Sequence, residues 1–364
     1  MPPSSRADAV LTIDLDAIAT NYRRLGERLK GAGLHAVVKA DAYGLGMKRV
    51  APLLASQGCK DFFVATPDEG VALRALLPEA EIGVFNGVLA GEESTFRAHR
   101  LIPCLNDLGQ IERWAKEGGG AWAALHVDTG MTRLGLSAND VERLSREPER
   151  LAGVRLRYIL SHLACADAPA HPKNAEQLTR FRDLRQKLPA LPLSLANSSG
   201  VFLGPEYHFD FARAGAAIYG INPQPNLPNP MMQVVTLQGK ILQVRDVDSP
   251  ETVGYGATYR VDGPGRIATL AVGYADGFLR ALGNRGNCFV GDRRAPVVGR
   301  VSMDLITIDV TEMPSQLATP GTFVELLGSH HSVDDLAAEA GTIGYEILTT
   351  LGRRCHRTYT GTSA

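Results

Sequence analysis

Residues 34–46 read LHAVVKADAYGLG, and the reading of this stretch decides the fold. Its first half, 34–38, is a short apolar and β-branched run of the kind buried in parallel sheets, and Lys39 closes it. A lysine ending a buried strand is unusual, because desolvating an ammonium is costly unless the group is paired or gives up its proton. An amine kept neutral by burial is a nucleophile suited to a Schiff base with an aldehyde cofactor. Asp41, Tyr43, Gly44 and Gly46 follow as a tight turn from which a phenol projects. A lysine with a buried stem and a solvated head accounts for these residues equally well. The rest of the chain has to decide.

Outward from this strand the pattern repeats. Short apolar strands are expected at 62–65, 82–85, 101–105, 122–127, 156–161, 193–196 and 209–212, alternating with helical or polar segments, and with 34–38 they make eight. Eight strands with crossovers predict an α/β fold, a (β/α)8 TIM-type barrel whose working groups stand at the C-terminal strand ends. Lys39 and Tyr43 then follow the first strand, Asp128, Thr129, Gly130 and Arg133 the fifth, and His162 the sixth. Asn197 and Ser198 follow the seventh, and Arg213 and Gly215 the eighth. The last two loops read ANSSG and RAGAAIYG, with small residues that let backbone N–H groups approach a phosphate and a hydroxyl on Ser198. Each loop alone is ordinary turn chemistry. Their joint position opposite Lys39 favours an anion site.

Upstream, 12–15 reads as a strand, and Ile18, Tyr22, Leu25 and Leu29 form one apolar helix face. Downstream, NPQPNLPNP at 222–230 reads as a boundary, giving a barrel domain over 1–228 and a mainly-β C-terminal domain over 229–364. Strands are expected there at 233–244, 266–272, 288–290, 295–308 and 322–327. One helix is expected at 332–340, with Ser332 as N-cap and Asp335 at the capping-box position.

Composition narrows the function. With 45% hydrophobic and 21% charged residues the chain reads as globular, and a net charge of −1 offers no basic face to nucleic acid. The five cysteines are scattered and never form CxxC, which argues against a disulfide framework or a zinc site and for a reducing compartment. No run approaches the roughly 20 apolar residues of a membrane span, and MPPSSRADAV lacks a secretory core, so a cytoplasmic location is expected. Asp128-Thr129-Gly130 is also the triplet of aspartic proteases, but those need a second carboxylate about 3 Å away, and no second triplet exists. His162 and Cys165 lack further partners for a metal, and Gly44-Leu45-Gly46 lacks the third glycine of a dinucleotide loop. No metal is expected.

Three pieces of the second domain stand out: GYGATY at 254–259, GYADG at 273–277 and GRVSMD at 299–304. A tyrosine between glycines either caps a turn or presents a phenol where something can come close. Taken in order, VVKADAYGLG, DTGMTRLG, SHLACAD, ANSSG, ARAGAAIYG, VGYGATY, VGYADGF and GRVSMDLITIDV resemble the motifs of the pyridoxal-phosphate alanine racemases, over about residues 12–359.

That resemblance implies a head-to-tail homodimer with pyridoxal 5'-phosphate, an amino-acid substrate, and interconversion of L- and D-alanine for peptidoglycan. Lys39 matches the lysine that holds the cofactor and serves one face of the substrate Cα, acting on the D enantiomer; Tyr255 from the other subunit serves the opposite face. Tyr43, Ser198, the backbone of Gly215 and Ala216, and Tyr345 match the phosphate cradle, with Asn197 beside it. Arg213 matches the arginine at the pyridine nitrogen, where a group that keeps its proton leaves the ring a weaker electron sink. A phenol titrates near 10 and needs positive charge close by to act as a base at neutral pH, a role implied for His162 with Arg213 behind it. Arg133 and the N–H of Met303 match the carboxylate site, and Tyr274 and Asp304 match entrance and supporting positions. Many relatives carry a carbamylated lysine where this chain has His126, so Arg133 is expected to be held by His126 itself, by a bound anion, or less firmly. A racemase of broader range, acting for example on serine, would share every motif. A non-catalytic pyridoxal-phosphate binding protein commonly has the barrel alone, and the β domain and Tyr255 argue against it.

Overall fold

The first strand, β1 (Ala9–Asp14), does not open the barrel: it lies between an antiparallel and a parallel neighbour from the C-terminal part of the chain. The computed structural model describes residues 7–361. They fall into two compact units, one of residues 19–231 and one joining the segment up to residue 18 with residues 232 onward. The expectation that the N-terminal strand goes with the barrel is thereby corrected. Its alternating apolar side chains are buried in the second unit's sheet, with Leu11 and Ile13 at 0% exposure.

The first unit is a parallel barrel. Its strands are β2 (Gly33–Val37), β3 (Asp61–Val64), β4 (Glu81–Val84), β5 (Leu101–Leu105), β6 (Trp122–His126), β7 (Arg155–Leu160), β8 (Leu193–Ser194) and β9 (Phe211–Ala214), paired in the order β8-β7-β6-β5-β4-β3-β2-β9. β8 is only two residues long, and closure is completed by single backbone bonds: Asp210 N–H donates to Leu193 O at 3.1 Å and Arg213 N–H to Ala196 O at 2.9 Å. Helices between the strands start as their sequences dictate. Thr66 and Glu69 form a capping box ahead of Pro67–Leu76, and Ser137 and Asp140 do the same for Ala138–Arg146. The 222–230 segment is held by asparagines, Asn229 Nδ2 bonding Gly220 O at 2.9 Å and Asn222 Nδ2 bonding Leu227 O at 2.7 Å.

The barrel interior holds an aromatic layer. Phe63 stacks on Phe85 at 5.0 Å, and Tyr158 meets Phe211 edge-on at 5.2 Å. Burying each such ring contributes about 1.5–3 kcal/mol. His35 lies flat against Phe211 at 4.1 Å, its Nδ1 buried without a partner. Burial first, then the Arg213 charge, pushes His35 down to about 3.

In the second unit β10 (Val235–Val247) is the spine. It is followed by β11 (Thr252–Val253), β12 (Tyr259–Arg260), β13 (Gly265–Leu270), β14 (Asn287–Val290), β15 (Arg293–Pro296), β16 (Ile306–Asp309), β17 (Phe323–Leu327) and β18 (His356–Thr360). The sheet runs β15-β14-β17-β10-β1-β18, with β13 joining β10 to β16. The run expected as one strand over 295–308 is two, because the chain turns at Gly299, at φ 77°. The helix over 332–340 is present as Val333–Ala340 with its Ser332–Asp335 box, and a second one, Gly344–Thr350, follows it. The β-branched, glycine-led sequence of that second helix gives little helical signal.

His35 and its unfolded form differ in proton affinity, so stability depends on pH. A neutral buried histidine takes no proton in the folded state until about pH 3, whereas the unfolded chain takes one below about 6.5. Its contribution is therefore complete above about 6.5 and lost as pH falls toward 3. Urea unfolding across this range is expected to give a shallower acid limb for His35→Phe than for the wild type; identical limbs would remove His35 from the account.

Candidate active site at the barrel mouth

The C-terminal ends of the barrel strands bring Lys39, Tyr43, Arg133, His162, Asn197, Ser198, Arg213, Gly215 and Ala216 to one rim. Lys39 follows β2 directly, and the residues after it form one left-handed turn, with Ala40, Asp41, Ala42 and Tyr43 at φ 53° to 56°. The sequence suggested a plain tight turn there. Lys39 is half-buried, its Nζ 5.9 Å from the centre of the Phe85 ring. Burial, and then the Arg133 charge, holds its amine below the ordinary lysine value, with Glu69 pulling the other way.

Arg213 lies within β9 rather than after it, and it is 3% exposed. Nη1 donates to Ser194 Oγ, and Nη2 donates to Ser161 O at 2.5 Å and approaches His162 Nδ1 at 3.4 Å. Burial pushes the guanidinium down to about 10, so it stays charged at neutral pH. A guanidinium only donates, so His162 Nδ1 accepts and its proton sits on Nε2. Burial, followed by the neighbouring Arg213 and Arg133 charges, holds His162 far below the usual histidine value.

The anion cradle is built from the loops after β8 and β9. Ser198 Oγ accepts from Gly215 N–H at 2.9 Å and Ala217 N–H at 3.2 Å. Asn197 Oδ1 accepts from Gly200 N–H at 2.9 Å and shapes the first of these loops. Gly215 is required by close approach: a Cβ there would stand 2.3 Å from the Tyr43 hydroxyl. A half-buried amine, a phenol against bare backbone, a hydroxyl and a buried guanidinium are what an aldehyde cofactor with a phosphate tail needs, so the residues fit pyridoxal phosphate.

Arg133 stands on a loop organised by Asp128. Asp128 Oδ1 accepts from Gly130 and Met131 N–H at 2.8 Å, and Oδ2 from Thr132 N–H at 3.0 Å. Burial opposes the charge of Asp128, but these donors outweigh it and the carboxyl is held below its usual range. Its carboxylate organises the loop, and among the described residues it has no second Asp-Thr-Gly carboxylate to pair with as a protease would need. His126, in β6, is held neutral by burial and by Arg213, which push it down to about 3. Asn106 Nδ2 donates to Phe85 O at 3.0 Å, so Asn106 Oδ1 must accept from His126 Nδ1 at 2.7 Å. The lone pair on His126 Nε2 is then what this residue offers the small cavity it shares with Arg133.

In the second unit Tyr255 opens a 3₁₀ turn between Gly254 and Gly256, both at positive φ, and is 73% exposed. A Cβ on Gly256 would stand 3.0 Å from the Arg300 guanidinium. Tyr274, Met303 and Tyr345 are also exposed, Tyr345 in the first turn of Gly344–Thr350. Tyr274 N–H donates to Ser302 O and Ala275 N–H to Met303 O, each at 3.0 Å. Arg354 fixes both loops: it grips Asp276 in two bonds of 2.9 and 2.8 Å and Asp304 at 2.6 Å. Arg354, Glu69 and Asn106 carry no motif of their own, and sequence reading missed them; Asp276 lies in the quoted GYADG stretch without having been given a role, and only the Thr66–Glu69 box was visible in principle. Among the described residues no group of three His, Cys, Asp or Glu side chains could hold a metal.

Barrel, lysine and phosphate cradle together define the class of pyridoxal-phosphate enzymes built on a (β/α)8 barrel with an appended β-rich domain. The chain belongs to the alanine racemase family: residues 13–223 match its N-terminal domain and residues 234–359 its C-terminal domain. It is 52% identical to an alanine racemase of Rhodospirillum rubrum, covering 99% of this chain and 98% of that one. Against a catabolic alanine racemase of Mesorhizobium japonicum the identity is 49%, with 98% and 94% covered. Among solved structures, alanine racemase from Bartonella henselae with covalently bound pyridoxal phosphate superposes with a TM-score of 0.94 at 38% identity, over 97% of this chain and all of that one.

Gly215→Ala tests the cradle. The added methyl displaces the Tyr43 phenol, and an overpacked site of this kind loses about ten- to a hundredfold in affinity. Equilibrium titration with pyridoxal phosphate is expected to show that loss, and unchanged affinity would contradict the assignment.

Proposed function

We propose that the protein interconverts L- and D-alanine through two bases on opposite faces of the substrate Cα, Lys39 and the partner's Tyr255. The observation that carries this reading is the Lys39 amine just after β2, held below the ordinary lysine value by burial and by Arg133, on the same rim of strand ends as the Ser198–Gly215 cradle. Pyridoxal phosphate, bound through Lys39, supplies the electron-withdrawing system that makes the α-proton of an amino acid removable.

The chain's own residues do the rest. Tyr43, Ser198, the backbone of Gly215 and Ala216, and Tyr345 hold the phosphate, with Asn197 shaping the loop. Arg213, a donor that keeps its proton, sits at the ring nitrogen and leaves it unprotonated, which discourages full delocalisation and its side reactions. Arg133, with the Met303 N–H, takes the substrate carboxylate, and His126 lines the small cavity beside Arg133 with a free Nε2 lone pair. Lys39 accepts the α-proton from D-alanine. The phenolate of the partner's Tyr255 accepts it from L-alanine, stabilised by His162 Nε2–H with Arg213 behind it. Tyr274 and Asp304 flank the entrance.

A head-to-tail dimer follows from the same reading. The exposure of Tyr255 at 73%, Met303 at 53% and Tyr274 at 43% fits a face covered by a second copy. No helix among the described residues is long and apolar enough to cross a membrane, and all five cysteines are free. We place the enzyme in the cytoplasm, where its D-alanine would serve peptidoglycan.

Incubation of the cofactor-loaded protein with L-alanine in heavy water tests the reading. D-Alanine carrying deuterium at Cα is expected, with L-serine run alongside to define the range. Tyr255→Phe is expected to lose about 10²–10⁴-fold in racemisation while D-alanine still exchanges its α-proton through Lys39. Racemisation within a few-fold of wild type in that variant would sink the two-base assignment.

A further inference from the structure

The turn after Lys39 is held in a conformation it would not adopt alone. Ala40, Asp41, Ala42 and Tyr43 are left-handed in succession, and none is glycine. Inside the turn, Ala42 N–H donates to Val38 O at 2.9 Å, Gly44 N–H to Ala40 O at 2.7 Å and Gly46 N–H to Asp41 O at 2.9 Å. The Asp41 carboxylate accepts from Met47 N–H at 2.7 Å. The anchor outside the turn is Glu69. Its Oε1 accepts from Ala40 N–H, the first amide after Lys39, at 2.6 Å.

The other oxygen of the same carboxylate is already committed. Oε2 accepts from Ala65 N–H at 2.8 Å and Thr66 N–H at 3.3 Å, and Thr66 Oγ1 returns a bond to Glu69 N–H at 3.3 Å. One side chain therefore ties the start of the helix after β3 to the peptide that carries the lysine. It is also placed to act on the amine itself. Around Lys39 stand Arg133 from the loop after β6 and neutral His162 after β7. The Glu69 charge raises the proton affinity of the Lys39 amine and opposes Arg133, which lowers it.

We propose that Glu69 is the positioning residue for Lys39: its carboxylate clamps the left-handed turn that aims the amine. This rests on Lys39 being one of the two racemisation bases. Glu69 touches neither substrate nor cofactor in this account. It acts through the backbone of Ala40 and through the field at Lys39.

Glu69→Gln separates the clamp from the cap. Glutamine serves a capping box well, but it has one acceptor oxygen; with that oxygen on Ala65 and Thr66, its NH2 group faces the Ala40 N–H, donor against donor. The thermal midpoint is expected to stay close to wild type. In the pyridoxal-phosphate-loaded protein, the visible band of the lysine-bound cofactor is expected to titrate at lower pH than in wild type, and Glu69→Asp to recover part of that shift. kcat/KM is expected to fall about ten- to a hundredfold in both directions, as a misaimed catalytic group costs.

Isotope effects identify the step. If Lys39 alone is impaired, the primary effect with α-deuterated D-alanine rises and that with α-deuterated L-alanine falls, because the lysine transfer becomes the slower of the two. Wild-type band position and isotope effects in Glu69→Gln overturn the proposal while leaving the two-base reading intact. Equal loss with unfolding at lower temperature in both variants reduces Glu69 to a helix cap and also overturns it. A wild-type protein that forms the lysine-bound cofactor but does not racemise alanine overturns the two-base reading, and this inference with it.

Discussion

A guanidinium buried inside the barrel is the constraint on which the rest depends. The Arg213 backbone completes closure between β9 and the residues after β8, and its side chain is gripped by Ser194, the Ser161 carbonyl and His162. Leaving such a charge unpaired would cost several kcal/mol, so these partners are obligatory. They lie at the ends of β7 and β8, and satisfying Arg213 therefore sets the heights of those two strand ends against β9. Its charge also reaches His35, His126 and His162, keeping all three neutral together with their burial.

The electrostatic character of the mouth follows. Arg133 and Arg213 are positive, Lys39 is an amine held below the ordinary lysine value, the histidines among them carry no charge, and Asp128 spends its carboxylate on backbone amides of its own loop. A site with that balance suits a ligand bearing a phosphate and a carboxylate. Burial lowers the lysine amine toward a usable base, and a donor-only arginine fixes which nitrogen of His162 holds the proton. The same buried groups thus stabilise the barrel and set the protonation states on which the chemistry draws.

Loop precision comes from short polar locks rather than from packing. Glu69 anchors the turn after Lys39, Ser198 holds the amides of Gly215 and Ala217, and Asn106 orients the His126 ring. In the second unit Arg354 binds Asp276 and Asp304 and so holds the segments that carry Tyr274 and Met303. Each lock spans residues distant in the chain and ties two segments together.

Local pattern was enough for much of this. The eight barrel strands, the texture change near 222–230, the Ser332 cap and the rim positions of Lys39, His162, Ser198 and Gly215 were all legible in the amino-acid sequence. Hydrophobic period, turn residues and motif order are properties of neighbouring residues, and they speak for themselves along the chain. Tertiary structure alone decided that β1 belongs with the second unit, that the turn after Lys39 is left-handed, that Arg213 sits within its strand, and that Glu69, Asn106 and Arg354 serve the site. Those outcomes depend on hydrogen bonds and buried charges between segments far apart in sequence. An alanine accepts a left-handed conformation, and a carboxylate leaves solvent, only where a distant amide or cation is already waiting.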